Sequence, residues 1–170
     1  MNRLAFVCLF IAVSASPLMA EEAPSNGFTV RPIGEVAKEA DRSVIVLDEE
    51  FEPGLLGLDG FSHIYVFWWF SLNDEPAKRE TLQVHPMGNR RNPLTGVFAT
   101  RSPRRPNLVA LTLCKIVAIK GNVIEVEKID AFDKTPVIDI KPYIPGYDTA
   151  EGATIPEWLE KARQRREPKG

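Results

Sequence analysis

Gly96-Val97-Phe98-Ala99-Thr100-Arg101-Ser102-Pro103-Arg104-Arg105-Pro106-Asn107 ends one apolar run and sets down three arginines and two prolines before a second apolar run, Leu108 to Ile119, begins. Proline fixes φ and removes an N–H donor, so the connection is expected to be stiff. The two apolar runs predict buried strands, with the guanidiniums carried on the loop between them. Rigidly held arginine suits recognition of carboxylate or phosphate.

Outward from this loop, the pattern is that of strands and turns. Leu108 to Ile119 is followed by Lys120-Gly121-Asn122-Val123, a tight hairpin turn in which Gly and Asn tolerate positive φ. Val123 to Asp130 returns, with Ile124 and Val126 alternating against Glu125 and Glu127. Asp133-Lys134-Thr135-Pro136 turns again into Val137 to Lys141. Upstream, Phe28 to Val36 reads as a first strand interrupted by Pro32 and Gly34, and Ser43 to Leu47 as a second. The aromatic run Phe61 to Phe70 lacks clear alternation, which predicts a strand buried on both faces. Ser71 to Met87 reads as loop, and Thr95 to Ala99 as a strand entering the arginine loop. Thr154-Ile155-Pro156-Glu157 has the form of a capping box, starting a helix with an apolar edge of Trp158, Leu159 and Ala162. The fold expected is mainly β, a single compact barrel or sandwich with a short C-terminal helix.

Composition narrows the function. The 170 residues fit one domain, 44% of them are apolar, and the formal net charge is −2. That balance argues against coating nucleic acid by bulk charge, although Arg101, Arg104 and Arg105 form a local basic patch. No Gly-rich phosphate loop follows a strand, so a classical nucleotide-binding Rossmann domain is not expected. His85 with Asp74 or Glu75 is too sparse for a metal site. Ser62 and His63 are neighbours on a predicted strand, where side chains alternate, so they are not expected to pair. Cys114 reads as a small core residue.

The N-terminus has the layout of a secretory signal peptide: basic Met1-Asn2-Arg3, apolar Leu4 to Val13, and a small-residue end, with cleavage expected after Ala20 or after Ala15. The resulting division is 1–20 signal peptide, 21–27 linker, 28–150 domain and 151–170 helical tail. Export to the periplasm or medium follows from that reading, and a cytoplasmic location follows if the start codon is misassigned.

Asp130, Asp133 and Asp139 each lie beside apolar residues. A carboxylate in such a setting needs a partner, and the loop arginines are expected to supply one. The outcome is either a structural ion-pair network or the polar floor of a pocket.

Three segments in order and spacing closely resemble the TsaA-like domain of the TrmO family: Gly57-Leu58-Asp59-Gly60-Phe61-Ser62-His63, Gly96 to Asn107, and Asp130-Ala131-Phe132-Asp133-Lys134-Thr135-Pro136 through Tyr143. The resemblance covers about residues 28–148. It implies a single β-barrel-like domain acting as a homodimer with sites near the interface. It also implies S-adenosylmethionine-dependent methylation of N6 of the threonylcarbamoylated adenosine beside the anticodon of tRNA. The alternative is an exported, non-enzymatic relative that binds a small molecule or a protein. By the family's motifs the cofactor pocket should include Phe70, Ser71, Arg101, Leu111, Glu127, Lys128, Ile129 and Asp130. Arg90, Arg91, Arg104 and Arg105 would face tRNA phosphates. No residue stands out as general base, His63 being the weak candidate, and no metal is implied. The family's usual Asp-Gly-Thr-Pro reads Asp-Lys-Thr-Pro here, with Lys134 where glycine can serve a positive φ.

Overall fold

The computed structural model describes residues 27, 29–39 and 42–165. The expected signal peptide, residues 1–20, and most of the expected linker lie outside the described residues. Among the described residues eight strands form: β1 (Gly34–Glu39), β2 (Arg42–Leu47), β3 (His63–Trp69), β4 (Gln83–Val84), β5 (Thr95–Gly96), β6 (Val109–Lys120), β7 (Val123–Val126) and β8 (Thr135–Pro142). Short helices are α1 (Pro76–Arg79), α2 (Pro145–Asp148) and α3 (Glu157–Gln164). Six strands close a barrel in the order β1-β2-β7-β6-β3-β8, and β4 and β5 form a separate two-stranded ribbon. Every pairing is antiparallel. The mainly β, barrel expectation is met.

The barrel is filled from alternate positions. Val36, Ile45, Ile64, Val66, Ile124 and Val137 have no exposed surface, as period-two strands with one face inward require. β3 departs from the sequence expectation. Ile64, Val66 and Trp68 are buried, but His63, Tyr65, Phe67 and Trp69 between them are only partly so. The outward side is sheltered by neighbours on and beyond β8, with Tyr143 edge-on to Tyr65 at 5.7 Å and the Lys141 ammonium 5.9 Å from the Phe67 ring. The alternation is hidden in the sequence because aromatic residues occupy both faces.

Several boundaries shift for physical reasons. The first paired strand begins at Gly34 rather than Phe28, since Pro32 has no N–H to donate. A Cβ at Gly34 would run into the Val46 carbonyl and the Leu47 backbone, so close approach of β1 to β2 accounts for that glycine. Thr95 to Ala99 is not one strand. Thr95–Gly96 pairs with Gln83–Val84, and Val97–Ala99 then turns as a 3₁₀ helix, closed by Thr100 N–H on the Val97 carbonyl at 3.1 Å. The hairpin turn is the expected one: Lys120 faces Val123, and Gly121 has φ 57°. Asn122 stitches it to β2, its backbone carbonyl accepting from Leu47 N–H at 2.9 Å. At α3 the expected capping box does not form. Pro156 takes the N-cap place with no side-chain cap, and Glu157 instead pairs with Lys161 at 2.6 Å, which holds its carboxyl below the usual range.

Cys114 is a core residue, 1% exposed, and burial pushes its thiol up to about 11. It is therefore an inert thiol at neutral pH. Ser62 and His63 do hydrogen-bond, Ser62 Oγ to His63 Nδ1 at 2.9 Å. Ser62 precedes the first paired residue of β3, so strand alternation does not govern it.

Lys134 sits at φ 58° in the turn before β8, where its N–H donates to the Val36 carbonyl at 2.7 Å. A side chain there carries a left-handed penalty of about 1 kcal/mol, larger than the chain-entropy cost glycine brings. Lys134→Gly is therefore expected to raise stability by about 0.5 kcal/mol, and Lys134→Val to lower it by more than about 1 kcal/mol, read as shifts in the urea midpoint.

Candidate functional site

The end of β3 and the start of β6 lie side by side, Trp69 facing Val109 and Phe67 facing Leu111. Phe70 N–H donates to the Leu108 carbonyl at 2.9 Å and carries the pairing one step past the strand. The arginine loop arches over this point, and the segment leading into β8 closes the other side. Between them is a cleft of about 740 Å³, within the range of small-molecule sites. Its wall draws on both faces of β6: Ala110 and Thr112 from the inward face, Leu111 and Leu113 from the outward one. It thus runs from the barrel mouth onto the outer surface. Trp68 anchors the floor, its Nε1–H donating to Thr112 Oγ1 at 3.0 Å and its ring edge-on to Phe70 at 4.8 Å.

Five residues expected in the cofactor pocket converge here: Phe70, Ser71, Arg101, Leu111 and Asp130. The Arg101 guanidinium and Asp130 carboxylate are exposed and, among the described residues, have no side-chain partner. Glu127, Lys128 and Ile129 do not line the cleft. Ile129 is 3% exposed in the core, and its carbonyl accepts from Lys38 Nζ at 2.9 Å. Glu127 lies 3.8 Å from Lys115 on the surface, and Lys128 is exposed. Together these three residues lead the chain to Asp130.

The expected pairing of loop arginines with the three aspartates is not seen. Asp133 accepts from Lys38 N–H at 2.9 Å, and Asp139 pairs with Lys141 at 2.7 Å. Asp133 and Asp139 are thus met away from the loop, while Asp130 and Arg101 stay without a side-chain partner among the described residues. Arg105 also differs from the outward orientation expected of it. It folds back, donating to the Thr100 and Ser102 carbonyls at 3.3 and 3.4 Å, and lines the cleft beside Arg101. Arg90 and Arg104 line a neighbouring cleft, and Arg91 is exposed. His63 lines neither. Among the described residues no group of His, Cys, Asp and Glu is arranged to hold a metal.

Sequence reasoning missed Phe132, which lines the cleft with 72% of its surface exposed, and Leu72, 66% exposed. Phe132 lies within the Asp130–Pro136 segment already singled out, and an aromatic residue beside a polar turn was the available signal. It missed, too, the brace around Trp69. Asp74 accepts from Trp69 Nε1 at 3.0 Å and from Arg79 Nε at 2.8 Å, and these bonds hold its carboxyl below the usual range. Arg79 stacks 5.3 Å from the Trp69 ring and donates to the Pro106 carbonyl at 3.2 Å. One guanidinium therefore ties the 71–79 segment to the end of the arginine loop. Exposed ion pairs stabilise little, so Arg79→Ala is expected to cost less than about 1 kcal/mol of global stability. The same change should raise amide hydrogen exchange at residues 71–79 and 100–106 and leave the barrel strands unaffected.

The comparisons agree with this architecture. A family model of the tRNA-methyltransferase O N-terminal domain matches residues 24–149. A probable S-adenosyl-L-methionine-binding protein of Methanocaldococcus jannaschii is 46% identical over 114 residues, 67% of this chain and 90% of that protein. The tRNA (adenine(37)-N6)-methyltransferase of Homo sapiens is 39% identical over 105 residues, 62% of this chain but 23% of that enzyme. The crystal structure of TrmO from Pseudomonas aeruginosa superposes with a TM-score of 0.58 at 26% identity, over 75% of this chain and 61% of that one. The chain thus spans under a quarter of the human enzyme and under two thirds of the bacterial structure. These relatives correct the expectation of export. Those of known activity are named for methylating tRNA, which is not a substrate found outside the cell, and residues 1–20, on which export rested, lie outside the described residues. By sequence match and by fold alike, the chain belongs to the tRNA-methyltransferase O N-terminal domain family.

Proposed function

We propose that this protein is an S-adenosylmethionine-dependent tRNA methyltransferase that modifies N6 of the threonylcarbamoylated adenosine beside the anticodon. The observation that carries the reading is the pair Arg101 and Asp130, both charged, both in one cleft and both without side-chain partners among the described residues. The chemistry of the cleft fits the methyl donor. Arg101 suits its carboxylate, and Asp130 its ammonium or ribose hydroxyls. Phe70 and Leu111 offer apolar surface to adenine or the thioether arm. Bound there, S-adenosylmethionine supplies an electrophilic methyl group.

The residues of the chain act by holding and excluding. Arg105 keeps the loop carbonyls occupied, so that Arg101 is presented at a fixed place. Phe70, Leu72 and Phe132 shield the reacting region from water. Arg90, Arg91 and Arg104 offer charge to RNA phosphates outside the cleft. No histidine or unpaired buried carboxylate lines the cleft, which supports positioning rather than a strong base as the main source of rate.

A second copy of the chain belongs to the same reading. The outward face of β6 shows Val109, Leu111, Leu113 and Val117, each 37% exposed or more, and the first three also line the cleft. A partner covering this stripe would close the outer side of the site. Leu113→Lys is expected to shift sedimentation from dimer to monomer and to weaken donor binding along with it.

Calorimetry with S-adenosylmethionine tests the central assignment. The full chain is expected to bind it. Arg101→Ala should abolish the heat of binding and leave the thermal midpoint within about two degrees of the parent, as for a surface change of about 0.5 kcal/mol or less. Absence of binding to the parent protein at millimolar ligand contradicts the proposal.

A further inference from the structure

A second cleft, about 1170 Å³, lies on the far side of the arginine loop and shares Thr100, Arg101 and Pro103 with the first. Its wall is unlike that of the first. Arg90, Arg101 and Arg104 line it, Phe98, Met87 and Trp158 supply flat or soft apolar surface, and among the described residues no aspartate or glutamate lines it. Phe98 is 78% exposed, an aromatic ring held out in water at the mouth of a basic groove. Bases stack on aromatic faces whatever their sequence, and arginines beside the rings meet the backbone phosphates.

The groove is a built one. Asn92, 2% exposed, donates from Nδ2 to the Pro86 carbonyl at 2.9 Å, and its own carbonyl accepts from His85 Nδ1 at 2.9 Å. These bonds close the 85–92 turn that carries Arg90. The opposite wall is α3, which contributes Trp158 and Leu159. The helix is seated by Ala162, 4% exposed, and by Arg165, which donates to Asn92 Oδ1 at 2.8 Å. Arg165 belongs to the basic C-terminal end that starts at Lys161. Residues 157–164 lie beyond the 24–149 span matched by the family domain.

We propose that the second cleft is a docking groove for single-stranded RNA, in which Phe98 and Trp158 stack on unpaired bases while Arg90 and Arg104 meet the flanking phosphates. The C-terminal helix α3 is thereby a substrate-binding element. The inference rests on the reading of the chain as a tRNA enzyme. It adds that the loop of the RNA, rather than its duplex, is gripped, and that the grip runs past Arg101 into the first cleft. Charge complementarity decides the occupant. Three arginines without a lining carboxylate favour a polyanion, and exposed rings favour one with unpaired bases over a duplex, whose bases are stacked on each other.

Fluorescence anisotropy of the full chain with labelled single-stranded oligoadenylate, with duplex RNA and a polyglutamate peptide as competitors, tests this. Phe98→Ala and Trp158→Ala should each weaken oligoadenylate binding about tenfold, with Trp158→Phe keeping most of the affinity. Arg90→Ala and Arg104→Ala should each make binding less dependent on salt. S-adenosylmethionine binding, measured on the same variants, should be unchanged and reports that they fold. Unaltered oligoadenylate binding in the Phe98 and Trp158 variants, or equal competition by duplex or polyglutamate, overturns the groove while leaving the methyl-donor site standing. Loss of donor binding in the parent protein with Trp158-dependent RNA binding intact would instead keep the groove and remove the methyltransferase reading.

Discussion

The barrel closes across a seam of three residue pairs, Gly34 with Val137, Glu35 with Pro136 and Val36 with Thr135. Everything at the site hangs from it. Pro136 has no N–H to give the ladder, so the seam leans on flanking bonds: Ile33 N–H to the Val137 carbonyl at 2.8 Å and Lys134 N–H to the Val36 carbonyl at 2.7 Å. β1 approaches β2 closely enough to exclude a Cβ at Gly34. With the seam shut, Thr135 and the 130–133 turn are held against the first cleft, and β8 packs along β3. An open seam would leave β8 paired on one side only and Asp130 without a fixed place opposite Arg101.

From that frame the site follows as a meeting of three ends. β3 ends at Trp69, β6 starts at Val109, and the Asp130–Lys134 turn arrives from the opposite side. The arginine loop joins the β4–β5 ribbon to β6, and its shape is held by its own carbonyls, through Arg105, and by Arg79 at Pro106. It is stiff because its donors and acceptors are occupied locally, with Pro103 and Pro106 limiting the backbone. That stiffness leaves Arg101 free to meet a ligand at two clefts.

Much of this was legible in the residues. The hairpin at Gly121-Asn122 and the apolar edge of α3 are local patterns and stand where turn chemistry and periodicity put them, whereas the last strand, expected over Val137 to Lys141, takes in Thr135, Pro136 and Pro142 as well. Arg101, Phe70, Leu111 and Asp130 meet in one cleft although 60 positions separate Phe70 from Asp130 in the chain. That grouping came from matching family segments, since no spacing rule brings distant segments together. What escaped was tertiary. The outer half-burial of β3 depends on Tyr143 and Lys141, which pack over it from β8 and just beyond. Asp133 and Asp139 found partners at the Lys38 N–H and at Lys141 that charge counting could not select. The capping box at Thr154 failed because Pro156 took the cap. The basic tail gained a structural task only because Asn92 is buried beneath it.

The first cleft is the centre of the account, and a crystal structure of the protein grown with S-adenosylhomocysteine tests it most directly. The expected result is the ligand seated between Phe70 and Leu111, its carboxylate on Arg101 and its ammonium or ribose hydroxyls on Asp130. A ligand bound away from these four residues would contradict the assignment.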